Sequence, residues 1–281
     1  MFWGISATIA KFLFNRQVET LILVQMRITI SFILLFLFFI FLRRDLLKIK
    51  LRDLYKFALL GILGVAGSNF TYYFTIAVTN VATAILLQYL APIFVLIYGA
   101  LSRDEKITMV KIISAVVSLV GCYMAVAGKN FSIIEINQIG ILTGLGSAFC
   151  WSFTNVWLKR LLKTYNVWTC LIYSFMLASI FWLTINPPWK IISMNYSLDD
   201  WNIFFGFAII SILIPHSLYF SGMKYLTASR GIITATFEPI VAIVSAFFIV
   251  NEVLTPIQIF GAVLVISAIA ILQIWQERFQ D

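Results

Sequence analysis

The chain contains two related stretches, LAPIFVLIYGALSRDEKIT at residues 90–108 and FEPIVAIVSAFFIVNEVLT at residues 237–255. In each of them a proline lies thirteen residues before a glutamate, and the glutamate lies three residues before a threonine. The residues between the proline and the glutamate are mostly apolar, which favours a helix in an apolar environment, and a proline bends such a helix. Because the second stretch follows the first at a distance of 147 residues, the sequence predicts an internal repeat.

Further matches extend the repeat over the chain. Pairs related by the same shift of 147 residues, or by a shift of 148, are Asn69 with His216, Tyr72 with Tyr219, Trp3 with Trp151 and Lys11 with Lys159. One single-residue insertion reconciles the two shifts. The sequence therefore predicts two repeats, at residues 1–130 and 138–281.

Composition restricts the class of protein. Of the 281 residues, 62% are apolar and 11% are charged, whereas soluble domains have about 45–50% apolar and about 25% charged residues. These charges are too few to cover a soluble surface, which excludes an ordinary soluble enzyme, a disordered chain and a nucleic-acid-binding domain. An all-α integral membrane protein is predicted, because only helices and closed barrels span bilayers and the alternating pattern of a barrel is missing from the sequence.

Ten apolar stretches are candidates for membrane spans, each of which needs about 20 residues. They lie at residues 1–15, 20–42, 54–78, 81–102, 107–127, 138–158, 166–185, 202–224, 229–250 and 255–275. Trp3 lies 2 residues from the start of the first span, whereas its counterpart Trp151 lies 13 residues from the start of the sixth. About ten residues are thus expected to be missing from the start of the first helix, so either the chain starts upstream or this helix is truncated.

Five spans in each repeat make the two repeats inverted relative to each other. An odd number of spans returns the chain to the opposite side, so the second copy is inserted upside down. Of the lysines and arginines, 15 lie on the side shared by the two termini and 4 on the other side. Because positively charged loops stay in the cytoplasm, we expect a multi-pass protein of the cell (plasma or inner) membrane with both termini cytoplasmic.

The repeated motifs resemble those of a known family. Trp3-Gly4 opens the chain, Arg27 lies early in the second span, and Gln258 and Gly261 follow the second proline–glutamate–threonine stretch. This arrangement resembles the EamA-type members of the drug/metabolite transporter superfamily over essentially the whole chain. The short first helix and Arg103-Asp104 depart from the family pattern.

The resemblance implies both a fold and a class of function. It implies a basket of ten helices in which helices 1, 3, 4, 6, 8 and 9 line a central cavity, with helices 5 and 10 at the periphery. It also implies transport of a metabolite such as an amino acid, an amine, a nucleoside or a nucleotide sugar, and it leaves the substrate open.

Glu238 is the sharpest candidate for a functional group. It lies near the middle of the ninth span, where an ionisable side chain is costly and faces the bundle interior or water. It would carry a proton or bind the ammonium group of a substrate. The alternative is a structural role beside the bend at Pro239.

Matched polar positions in the two repeats predict a cavity lining. His216 and Tyr219 are three residues apart and share a helix face, as do their counterparts Asn69 and Tyr72. The alternative is that these side chains pack helices together, with His216 neutral.

The remaining candidates are polar or aromatic side chains in mid-span. A tryptophan away from the membrane interface would form a wall for an apolar or cationic substrate group, and a polar group beside a proline would bind a freed carbonyl. Helix packing is the alternative for each of them. These predicted cavity residues are Trp3, Gln88, Tyr89, Trp151, Asn155 and Thr234, and Pro92 and Pro239 are predicted to supply matched bends for gating.

Charged residues toward the ends of the spans are assigned structural roles. Arg27 is expected to extend to the surface along its alkyl stem, and Lys11 and Lys159 are expected to anchor their helices at the interface. Glu105 and Glu252 are expected to cap the helices that follow them.

These features predict a secondary transporter that moves a small organic metabolite by alternating access, as an exporter or exchanger. The alternatives are an intramembrane lipid-modifying enzyme and a non-transporting membrane scaffold. Enzyme activity is not expected, because the sequence has no histidine–acid pair within the spans, no metal-ligand cluster and no phosphate-binding loop. We expect no cofactor and no nucleic-acid partner. The expected partners are a small-molecule substrate, the lipid bilayer, and a proton or counter-substrate for coupling.

Overall fold

The structure is a computed structural model that describes residues 2–101, 108–127, 137–225 and 237–279. Within these ranges the chain is helical and has no β-strand. Six helices there are long and apolar enough to cross a membrane, and shorter apolar helices accompany them. The predicted all-α class is confirmed, whereas the ten-span inverted repeat stays a prediction.

The helices are numbered in chain order. The first half contains α1 (Phe2–Asn15), α2 (Thr20–Leu42), α3 (Leu54–Ala58, Leu59–Gly67 and Ser68–Val78), α4 (Val81–Gln88 and Ala91–Leu101) and α5 (Met109–Ala127). The second half contains α6 (Gln138–Leu162), α7 (Val167–Ile185), α8 (Leu198–Ala208, Ile209–Leu213 and Ile214–Met223), α9 (Phe237–Val250) and α10 (Pro256–Phe279). Short 3₁₀ turns, Arg44–Leu47 and Leu51–Asp53, join α2 to α3, and a short helix, Pro188–Ser193, lies between α7 and α8.

The contacts between helices recur at a spacing of five helices. α1 packs against α9 as α6 packs against α4, and α3 packs against α6 as α8 packs against α1. α3 also packs against α7 as α8 packs against α2. Two further contacts, α5 with α10 and α2 with α7, join helices that are themselves five apart, so each of these contacts is its own counterpart. Each of these contacts made by one half of the chain therefore has a counterpart made by the other half.

Glycines allow some of these helices to approach closely. A Cβ atom at Gly4 would lie 2.9 Å from both the backbone nitrogen of Ala242 and the carbonyl oxygen of Glu238, so α1 rests on the backbone of α9. A Cβ atom at Gly121 of α5 would lie 2.7 Å from the carbonyl oxygen of Gly261 on α10. Small residues are favoured at such crossings because helices in lipid associate largely through close packing.

Two π-helical segments interrupt α3 and α8, and the apolar pattern of the sequence does not predict them. They span Leu59–Gly67 and Ile209–Leu213. A shift of 147 residues maps residues 62–66 onto the second segment, so the two segments occupy matched positions. A π-segment disturbs the regular hydrogen bonds of a helix and is frequent at functional sites. Polar side chains bind its carbonyl groups here: Asn69 donates to the first segment and Arg27 to the second.

The fourth helix breaks just before Pro92. It ends at Gln88 and resumes at Ala91. The break follows from the proline, which has no N–H to donate and whose ring clashes with a preceding carbonyl group. Its counterpart Pro239 is the third residue of α9 as the structure describes it. The gating role of the two prolines stays a prediction.

Candidate functional site

A small cavity lies among α1, α2, α3, α4, α6, α8 and α9. Its volume is about 40 Å³, which corresponds to about two or three water molecules. The side chains that line the cavity are Trp3, Arg27, Ser68, Asn69, Tyr72, Tyr73, Gln88, Tyr89, Trp151, His216 and Glu238.

The structure brings most of the predicted cavity residues together. Those that line the cavity are Trp3, Asn69, Tyr72, Gln88, Tyr89, Trp151, His216 and Glu238. Asn155 and Tyr219 adjoin the aromatic wall described next, and Thr234 lies outside the described residues. The role of these residues in substrate binding remains a prediction.

Aromatic rings form one wall of the cavity. Trp3 meets Trp151 edge to face, with 5.4 Å between the ring centroids, and meets His216 at 5.2 Å. Tyr219 packs against Trp3 at 5.2 Å and against Trp151 at 5.1 Å. Its hydroxyl donates a hydrogen bond of 2.5 Å to Asn155 Oδ1. Each aromatic pair adds about 0.5–1.5 kcal/mol beyond the burial of its area, so this cluster ties α1, α6 and α8 together.

Glu238 places an acidic group in the cavity. The residue is 7% exposed, and its Oε2 accepts a hydrogen bond of 3.2 Å from the Tyr89 hydroxyl. Its backbone carbonyl lies against Gly4 of α1, which fixes the height of the side chain relative to Trp3. An ionised carboxylate can accept about four hydrogen bonds, so Glu238 keeps capacity to accept from a ligand or to hold a proton.

The structure corrects the expected position of Arg27. Its side chain does not extend to the surface: the residue is 1% exposed and lines the cavity. Its Nη2 donates to the carbonyl oxygen of Ser211 at 2.8 Å, and its guanidinium carbon lies 4.4 Å from the centroid of the Tyr73 ring. The expectation was wrong because the depth of a residue along a helix does not determine which face points inward, and this face of α2 packs against α8.

Ser68 and Tyr73 are cavity residues that were left out of the predicted set. Together with Asn69 and Tyr72 they occupy positions i, i+1, i+4 and i+5 of α3. This spacing describes one face of a helix. The signal was therefore present in the sequence once Asn69 and Tyr72 had been assigned to the cavity.

Lys11 and Lys159 bind the ends of neighbouring helices, and their expected role as anchors at the membrane interface stays a prediction. Lys11 Nζ donates to the carbonyl oxygens of Ile76 at 2.9 Å and Thr79 at 2.6 Å, at the C-terminus of α3. Lys159 Nζ donates to the carbonyl oxygen of Met223 at 2.7 Å, at the C-terminus of α8. Lysine stabilises a helix C-terminus because it satisfies the last carbonyl groups and the negative end of the helix dipole.

The two lysine contacts lie at opposite ends of α6. Gly140, near the start of α6, approaches Thr79 beside the Lys11 contact. Lys159 lies in the last turn of α6. Trp151 lies between them and lines the cavity. The cavity thus lies between the two lysine contacts.

Glu252 caps α4, which corrects the expectation that it caps the helix following it. Its carboxylate accepts from the backbone N–H of Val81, the first residue of α4, at 3.1 and 3.3 Å. It also interacts electrostatically with Lys11, at the same end of the bundle. The following helix, α10, is instead capped by a reciprocal pair of hydrogen bonds between Thr255 and Gln258. Glu105 lies outside the described residues.

Comparison with known proteins assigns the family. The sequence model described as the EamA-like transporter family matches residues 1–127 and 138–274. The chain belongs to this family. It is therefore a multi-pass membrane protein of a transporter family, in agreement with the apolar helices of the structure.

Relatives of this EamA-family protein are named as transporters. It is 22% identical over 283 residues to the uncharacterized inner membrane transporter YicL of Salmonella typhimurium, with 98% of this chain and 93% of the relative covered. It is 24% identical over 207 residues to the threonine/homoserine exporter RhtA of Escherichia coli, with 73% of this chain and 66% of the relative covered. A solved crystal structure matches with a TM-score of 0.67 at 16% identity, covering 99% of this chain and 97% of the other, which shows a shared fold.

Proposed function

We propose that this EamA-family protein is a secondary transporter that moves a small organic metabolite across the cell membrane by alternating access, as an exporter or exchanger. The observation that carries the proposal is a cavity in the helical bundle whose lining includes matched residues of both halves of the chain. Trp3 with Trp151, and Asn69 with His216, are two such pairs. Inverted repeats around a site near the bilayer midplane are typical of secondary transporters.

The proposed architecture is a pair of five-helix repeats of opposite orientation, at residues 1–130 and 138–281. The recurrence of helix contacts at a spacing of five helices supports it, as does the family match to residues 1–127 and 138–274. The excess of basic residues on one side favours both termini in the cytoplasm. Two similar halves can exchange conformations, and the exchange would open the cavity to one side and then to the other.

The matched lysine contacts are the proposed gates. The first gate is the contact of Lys11 with the end of α3, together with the cap that Glu252 makes on α4. The second gate is the contact of Lys159 with the end of α8. Opening one mouth would break one lysine contact and leave the other in place, since the two lie at opposite ends of α6.

Glu238 is the proposed coupling or substrate-binding group. It is a buried acidic residue among aromatic and polar side chains, so it suits either a proton or an ammonium group. An amino acid is among the candidate substrates, and the exporter RhtA supports it as a relative named for threonine and homoserine.

Counterflow into proteoliposomes tests the proposed function. The purified full chain is reconstituted into vesicles loaded with an unlabelled amino acid, amine or nucleoside, and the same compound is added outside in radiolabelled form. We expect one of these classes to accumulate in vesicles that contain the protein and not in empty vesicles. Absence of accumulation for all three classes, with a protein that shows cooperative thermal unfolding in the same lipid, would overturn the proposal.

A further inference from the structure

Arg27 is a buried cation with free donors. It is 1% exposed, its Nη2 donates a hydrogen bond to the carbonyl oxygen of Ser211 at 2.8 Å, and its side chain also interacts with the side chain of Tyr73. Its Nε and Nη1 have no hydrogen-bond partner among the described residues. No aspartate or glutamate in that part of the chain forms an ion pair with it. The Tyr73 ring, 4.4 Å from the guanidinium carbon, supplies its closest cation–π contact.

Such an arrangement is costly for a protein that only has to fold. An arginine stays charged in proteins, and a buried charge without a counter-ion is strongly destabilising. Buried donors that lack partners call for an explanation. A ligand that brings its own negative charge explains both features, because it supplies the missing counter-ion and accepts from the free N–H groups.

Glu238 provides the opposite charge in the same cavity. Arg27 and Glu238 both line it, and among the described residues they do not pair with each other. Tyr72 and Tyr73 interact electrostatically with both of them. The Tyr72 hydroxyl is buried and also lacks a hydrogen-bond partner in the described ranges. The cavity therefore offers separate cationic and anionic groups, with a free hydroxyl near both.

We propose that Arg27 binds the carboxylate of the substrate and that Glu238 receives its ammonium group, so that the substrate class is the free α-amino acid. This inference rests on the proposed transport function. A guanidinium recognises a carboxylate through as many as two parallel, charge-assisted hydrogen bonds, which a lysine cannot reproduce. An amine lacks the carboxylate, and a nucleoside lacks both charged groups, so each leaves one or both cavity charges uncompensated.

Ligand-dependent thermal stabilisation of the purified full chain tests this assignment. The probes are L-threonine, L-leucine and L-phenylalanine, each beside its carboxamide and its decarboxylated amine. A ligand that binds the folded state raises the melting temperature. We expect at least one free amino acid to stabilise the wild type, and its carboxamide to need about tenfold higher concentration or more for the same shift. If the acid and the carboxamide raise the melting temperature of the wild type equally at the same concentration, the inference is overturned, and no variant is needed for this result.

Substitutions then assign the preference to residues. In Arg27→Gln the acid and the carboxamide should become equivalent, while the affinity for the amine stays as in wild type. Arg27→Lys keeps the positive charge and should keep part of the preference for the acid over the carboxamide. It provides a second test if Arg27→Gln fails to fold. Glu238→Gln should abolish the preference for the amino acid over its N-acetyl derivative. A purely structural Arg27 would lower the melting temperature of ligand-free protein and leave the acid-to-carboxamide ratio unchanged, which would contradict the assignment.

The two proposals fail in different ways. Counterflow of an amine or a nucleoside, without stabilisation by any amino acid, would overturn the role of Arg27 and leave the transport function standing. Absence of both counterflow and stabilisation for every probe would overturn both proposals.

Discussion

Trp3 and Trp151 touch edge to face in the cavity wall, with ring centroids 5.4 Å apart and ring planes at 87°. They are matched positions of the two halves of the chain, related by a shift of 148 residues. In the proposed inverted repeat, a residue that contacts its own counterpart lies close to the axis that relates the two halves. The candidate site is therefore located where the two halves meet.

Trp3→Ala should reduce transport at least about tenfold, because it removes aromatic contacts with Trp151, His216 and Tyr219 that add about 0.5–1.5 kcal/mol each. Trp3→Phe should retain a larger part of the activity. The measurement is the initial rate of counterflow. The matched control is Trp189→Ala, a tryptophan that is 70% exposed in the short helix between α7 and α8, and it should transport like wild type. An equal loss of counterflow rate in Trp3→Ala and Trp189→Ala would contradict a specific role of the cavity wall in transport.

Tyr89→Phe should impair transport, because the Tyr89 hydroxyl donates to Glu238 and its loss frees the carboxylate to reorient. Tyr173→Phe is the matched control: it removes a hydrogen bond of 2.8 Å to the carbonyl oxygen of Leu47, away from the cavity. Both variants should lose about 1 kcal/mol of stability, but only Tyr89→Phe should lose transport. Parallel thermal unfolding and counterflow assays check this, and a Tyr173→Phe variant as inactive as Tyr89→Phe would show that the effect is general destabilisation.

Gly4→Ala should destabilise the protein by about 1–3 kcal/mol through overpacking, because its Cβ would lie 2.9 Å from two backbone atoms of α9. Gly206→Ala on α8 is the control. No atom lies within 4 Å of a Cβ there, so the change should be neutral or stabilising by up to about 1 kcal/mol. Thermal unfolding in one detergent compares them. A Gly4→Ala variant as stable as wild type would contradict the close approach of α1 to α9.

Lys11→Met and Lys159→Met should open opposite mouths of the cavity. Each variant removes a lysine that binds the end of α3 or α8. In a variant without native cysteines, Ser68→Cys reports access to the cavity, which Ser68 lines. A membrane-impermeant maleimide should label it faster from one side after Lys11→Met and from the other side after Lys159→Met. Faster labelling from the same side in both variants would exclude the two contacts as opposing gates.

Sequence patterns predicted the helices well, because the length of an apolar run is set by the hydrocarbon thickness. The observed ends of α2, Thr20–Leu42, match the predicted span 20–42. The matched pairs of the repeat also pointed to the cavity, since equivalent positions in two similar halves have similar surroundings. Polar residues at mid-span were informative for the same reason, because lipid tolerates them only where they face the protein interior.

The sequence did not reveal features that depend on the rotation of a helix about its own axis. It also did not reveal contacts between residues that lie far apart along the chain. Arg27 was misplaced because its inward orientation depends on the packing of α2 against α8. The partners of Lys11 and Glu252 lie 65 and 171 residues away along the chain, and no local pattern encodes such pairs. The π-segments were missed because a change from α-helical to π-helical hydrogen bonding leaves the apolar run of the sequence unchanged.

Reversible cross-linking of one mouth tests whether transport proceeds by alternating access. Lys11→Cys and Thr79→Cys, in a variant without native cysteines, are bridged with a short disulfide-forming cross-linker, since Lys11 contacts the Thr79 carbonyl at 2.6 Å. Each single-cysteine variant, treated in the same way, is the control. We predict that counterflow stops in the cross-linked protein and returns when the bridge is reduced. Undiminished counterflow through a protein whose mouth is covalently closed would contradict alternating access.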